Sequence, residues 1–78
     1  METRVLKNFY GKIIGKLEET DDAIIAKDFY GKILGRYDKK TKRTKDFYGK
    51  ILATGDITSS LVYQAWVAHE QEIANRSK

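Results

Sequence analysis

Lys27-Asp28-Phe29-Tyr30-Gly31-Lys32-Ile33-Leu34 is the middle one of three near-copies of a single octapeptide. The first is Lys7-Asn8-Phe9-Tyr10-Gly11-Lys12-Ile13-Ile14, and the third is Lys45-Asp46-Phe47-Tyr48-Gly49-Lys50-Ile51-Leu52. They are offset by 20 and 18 residues. Such self-similarity in a short chain sets the architecture. In each copy an Asn or Asp (Asn8, Asp28, Asp46) stands three residues before a Gly (Gly11, Gly31, Gly49). That is the signature of a type I turn, whose first side chain accepts hydrogen bonds from amides further on. Gly then supplies the positive φ that closes a bulged hairpin.

After each turn the chain alternates with period two, as a half-buried strand does. Ile13, Gly15 and Leu17 are read onto one face, with Ile14, Lys16 and Glu18 on the other. In the second copy Ile33, Gly35 and Tyr37 oppose Leu34, Arg36 and Asp38. A Gly at mid-strand costs stability and needs a reason, such as a bulge, a bend or the close approach of another backbone. The incoming strands are Arg4 to Lys7, Ala23 to Ala26 and Lys42 to Lys45. The last has no large apolar residue and reads as the most exposed strand, at a sheet edge.

The third copy departs from the pattern. Ala53 replaces the strand glycine, and Thr54-Gly55-Asp56 replaces the charged strand end, as in a capping repeat. From Ile57 the period changes: Leu61, Val62, Ala65, Trp66, His69 and Ile73 follow helical spacing. Asp56 or Thr58 serves as N-cap, and the helix is expected over about residues 58–75, roughly 27 Å long. The expected fold is α+β and a single domain over residues 1–78. Residues 4–56 form three β-hairpin repeats about a pseudo-symmetry axis, and residues 57–76 carry the C-terminal helix.

The unit Asp-Phe-Tyr-Gly-Lys-Ile-Leu-Gly-Arg-Tyr-Asp resembles the repeat of small bacterial beta-flower proteins: an acid, a short turn ending in Gly, a base, two aliphatics, Gly and a base. Residues 7–18 and 27–38 match well, and residues 45–56 match as far as Leu52. The resemblance implies petal-like hairpins around a pseudo-symmetry axis and carries no activity with it.

The chain has 78 residues and no Cys, so neither a disulfide nor a thiolate metal site supports so small a core. A reducing, cytoplasmic setting suits that composition. No apolar run approaches the ~20 residues of a membrane-spanning helix, and the N-terminus lacks the apolar core of a signal peptide. Net charge is +4, and Arg36, Lys39, Lys40, Lys42, Arg43 and Lys45 fall within ten residues. This segment reads either as a solvated, edge-protecting turn or as a phosphate-binding patch.

Catalytic signatures are nearly absent. His69 is the single His, and Asp56, Ser59 and Ser60 read as helix-capping residues without a nucleophile-elbow motif. No catalytic, cofactor or metal residue is assigned. The Phe-Tyr pairs are the unusual feature, since aromatics are not preferred at the centre of a type I turn. The economical expectation is that one aromatic of each pair folds back into a shared core. The functional expectation is that Tyr10, Tyr30 and Tyr48 form an exposed ring beside Lys12, Lys32 and Lys50. Such a ring would suit a protein partner or a single-stranded nucleic acid. The leading expectation is a non-enzymatic, self-associating structural or interaction module whose helix, with Trp66, contributes to the interface. The alternative is a nucleic-acid-binding module using the basic segment and the turn tyrosines.

Overall fold

Three turns with the same hydrogen bonds set the geometry. In the computed structural model, which describes residues 2–76, the Asn8 Oδ1 atom accepts the amides of Tyr10 (2.9 Å) and Lys12 (3.0 Å). Asp28 does the same for Tyr30 and Lys32, and Asp46 for Tyr48 and Lys50, all at 2.9 Å. Each closing glycine amide donates to the carbonyl of its turn's first residue at 3.0 Å. Gly11, Gly31 and Gly49 have φ of 80°, 83° and 87°, as the turn requires. Gly31→Val is expected to cost more than about 1 kcal/mol, because a β-branched residue is strongly disfavoured at positive φ. Nothing crowds the site, so denaturation midpoints of that variant read the backbone cost alone.

The strands are β1 (Glu2–Lys7), β2 (Ile13–Glu19), β3 (Ala23–Asp28), β4 (Ile33–Asp38), β5 (Arg43–Asp46) and β6 (Ile51–Thr54). They form one antiparallel sheet in the order β1-β2-β3-β4-β5-β6, with the hairpins laid side by side and joined through β2–β3 and β4–β5. One helix follows, α1 (Thr58–Arg76), and packs across β2, β3 and β4. The fold is therefore α+β, a sheet covered on one face by a single helix. No helix among the described residues is long and apolar enough to cross a membrane.

Each hairpin carries a bulge just after its turn. Leu6 pairs with Gly15 but Lys7 with Ile13, leaving Ile14 as the extra residue, and the irregularity recurs at Ala26/Lys27 and Thr44/Lys45. A bulge shifts the alternation by one residue. The reading that grouped Ile13 with Gly15 and Leu17 is thereby corrected. Ile14 is 1 % exposed and Ile13 is 51 % exposed. The core contains Ile14, Leu17, Ile24, Ala26, Val62 and Trp66, with Leu6, Leu34, Tyr37 and Leu61 packed against it.

The strand glycines lie where helix and sheet touch. A Cβ on Gly15 would come 2.5 Å from both the Lys27 carbonyl oxygen and Val62 Cγ1. At Gly35 it would meet the Lys45 carbonyl oxygen and, at 2.9 Å, Leu61 Cδ1. Close approach of α1 and of the neighbouring backbone is thus the reason for both.

The expectation for Lys42 to Lys45 is also corrected. The strand β5 lies inside the sheet, between β4 and β6, and Thr44 is fully buried. The Thr44 hydroxyl donates to the Gly55 carbonyl at 2.6 Å and accepts the Ile57 amide at 3.2 Å. It ties the strand to the chain entering α1, a role that apolar content alone does not reveal. The Asp56 carboxylate accepts the Thr58 amide at 2.9 Å, so Asp56 rather than Thr58 provides the cap.

Candidate interaction surface

In a meander, alternate connections lie at opposite ends of the sheet. The three Asn/Asp-Phe-Tyr-Gly turns therefore share one end, and residues 20–22 and 39–42 turn at the other. The first end carries six aromatic rings in three Phe-Tyr pairs. Within each pair the rings stand edge to face, with centroids 5.1–5.6 Å apart. Such contacts are favourable.

These rings do not share a core. Phe9 is 96 % exposed, Tyr10 89 % and Tyr48 90 %, and Phe47 and Tyr30 are also exposed. Among the described residues, the second pair is the one whose rings contact rings of the helix. Phe29 lies 5.8 Å from the Trp66 ring and 5.9 Å from the His69 ring, and Tyr30 lies 5.6 Å from His69. One helix about 10 Å across cannot cover three turns spread over six strands spaced ~4.8 Å apart. The first and third pairs are left in solvent. Trp66, expected at an interface, is instead 8 % exposed, with the Lys12 ammonium 5.1 Å from its ring centre.

Part of the basic segment lies away from the tyrosines. Lys39, Lys40 and Lys42 belong to the β4–β5 turn at the far end, roughly 20 Å away along strands of this length. The Lys39 ammonium lies 2.7 Å from the Glu19 carboxylate and 2.8 Å from the Thr20 carbonyl. Arg36, Arg43 and Lys45 alternate onto the sheet face away from α1. There register brings in two residues that the sequence reading left aside. Lys16 stands opposite Lys27, and Arg36 opposite Lys45. Like charges directly opposite each other are unfavourable. Glu18, in contact with Lys27, offsets one of these pairs. The signal for this cationic row was the pairing register, which charge counts along the chain do not contain.

Bonding to Lys27 holds the Glu18 carboxyl below its ordinary range, and bonding to Lys39 does so for Glu19. The Lys40 amide has the same effect on Asp38. A depressed carboxyl stabilises the fold above its unfolded pKa and loses that contribution as pH falls through the folded one. Stability is therefore expected to decline as pH drops through and below the ordinary carboxylate range. Lys39→Met should flatten that decline, as read by urea unfolding at a series of pH values.

Asn8, Asp28 and Asp46 are each engaged by the amides of their own turn. A concavity of about 470 Å³ lies at the β1 side and takes its charged lining from Glu2, Arg4 and Glu19. Two further grooves have a common plan. One, of about 400 Å³, sets Val5, Ile13 and Lys16 against Phe29 and Tyr30. The other, of about 250 Å³, sets Ile33 and Leu34 against Phe47 and Tyr48. In both, the aromatic turn of one repeat borders the aliphatic segment of the repeat before it.

Comparison of the chain with protein families, with curated proteins and with solved structures found no match.

Proposed function

We propose that this chain is a non-enzymatic interaction module that self-associates, with the aromatic end of the sheet as its working surface. The observation that carries this reading is the exposure of three Phe-Tyr pairs along one end of a 78-residue chain. Large aromatics left in solvent on so small a domain mark a partner site, and Tyr is enriched at such sites. A second surface supports the reading: Tyr63 and Val67 are exposed one helical turn apart on the side of α1 away from the sheet. No charged residue occurs between Thr58 and His69. Membership of the beta-flower group and a cytoplasmic setting belong to the same proposal, on the strength of the repeated turn and the absence of Cys.

The triple variant Tyr10→Ser, Tyr30→Ser, Tyr48→Ser tests the reading. Its unfolding free energy should change modestly, by about 0.5 kcal/mol per exposed site, while its association is lost. Unchanged association would remove the aromatic end from the account.

A second reading is supported by the cationic row on the open sheet face, where Lys16, Lys27, Arg36 and Lys45 stand in two like-charged pairs. Phosphates would relieve that repulsion, and the module would then hold a single-stranded nucleic acid. Arg36→Glu with Lys45→Glu should abolish retention on a single-stranded oligonucleotide at low salt, and retention by the parent should fall steeply with added salt. No retention of the parent at low salt would end this reading.

A further inference from the structure

We propose that β6 of one copy pairs antiparallel with β1 of a second copy, continuing between chains the register that joins hairpins within one. This inference rests on the self-association proposed above and specifies its geometry. Sheet edges are ordinarily protected by charged residues or Pro. The edge strand β6 reads Ile51-Leu52-Ala53-Thr54 and is the one strand of the six without a charged residue. Ile51 and Leu52 are both exposed. The chain leaves β6 through Gly55 to Ile57, which bond back to Lys42 and Thr44 on the inner side. Among the described residues, no strand pairs with the outer edge of β6.

The joint between hairpins occurs twice with the same register. Gly15 faces Asp28 and Lys16 faces Lys27; Gly35 faces Asp46 and Arg36 faces Lys45. Carried forward by the repeat, the next joint sets Ala53 opposite Asn8 of the second copy, and Thr54 opposite Lys7. At both internal joints a cation opposes a Lys. At this one Thr54 takes the cation's place, so the like-charge penalty disappears.

The grooves agree. Each aliphatic segment after a turn lies beside the aromatic turn of the following repeat, at Ile13 with Phe29-Tyr30 and at Ile33-Leu34 with Phe47-Tyr48. Ile51-Leu52 is followed by α1 instead of a further turn, and among the described residues no strand pairs with the outer side of β1, beside Phe9-Tyr10. Head-to-tail addition supplies each with the other. The contact is heterologous, so it either closes into a ring or continues as a fibre.

The absence of native Cys makes the register directly testable. Lys7→Cys chains and Thr54→Cys chains, distinguished by a mass tag, are mixed and oxidised gently. The expected dominant product is the mixed disulfide, and moving the first cysteine to Thr3→Cys should abolish it. Predominance of the Thr54→Cys homodimer would replace this geometry with a two-fold β6–β6 edge, and predominance of the Lys7→Cys homodimer would likewise overturn it. In a second test, Leu52→Lys places a charge on the β6 edge. The dissociation constant should rise about tenfold or more with an unchanged circular dichroism spectrum. An unchanged constant would overturn the edge pairing and leave self-association standing. A parent that stays monomeric at every concentration would overturn both.

Discussion

Trp66→Ala is expected to lower the unfolding free energy by about 3 kcal/mol or more, the range for removing a large buried aromatic. The side chain is nearly covered, within a core drawn from β2, β3 and α1. It also supports the Phe29 and His69 rings. The loss is therefore expected to loosen the second Phe-Tyr turn as well as the helix. Val67→Ala, on the exposed side of the same helix, should cost far less in a monomer. Urea unfolding of the two variants at one temperature makes the comparison. Removing residues 57–78 altogether should give an unfolded or aggregating product, because the hairpins then keep an uncovered apolar face.

Gly15→Val is expected to cost ~3 kcal/mol, at the upper end of the overpacking range. Its Cβ would meet a backbone carbonyl, which cannot swing aside, as well as Val62 on α1. The third repeat provides an internal control, since Ala53 occupies the matching position and α1 packs across β2, β3 and β4 rather than β6. Ala53→Gly should accordingly change stability only slightly. If Gly15→Val unfolds at the parent's midpoint, the helix does not rest on β2 as described.

The turns were legible in the sequence because their chemistry is local. An Asn or Asp, two residues and a Gly specify the hydrogen bonds and the positive φ without help from the rest of the chain. The helix was legible for a similar reason: its apolar spacing and its capping Asp56 are both read within a few residues. The facing of Ile13 and Ile14 was not legible, because a bulge shifts the alternation and leaves no residue type of its own. The interior position of β5 was hidden by composition. Thr44 is buried through a hydroxyl that bonds Gly55 and Ile57, and a strand of Arg, Thr, Lys and Asp otherwise resembles an edge. The surface was legible in part. The aromatic turns were singled out, but their exposure depends on where one narrow helix comes to rest. The cationic row joins residues from β2, β3, β4 and β5, and only their register assembles it.

Sedimentation velocity of the intact protein at micromolar concentration tests the central claim most directly. Self-association predicts a mass above the 9.0 kDa of one chain, falling on dilution and falling further in the triple tyrosine variant. A 9.0 kDa particle at every concentration, with the helix fully formed by circular dichroism, would contradict it.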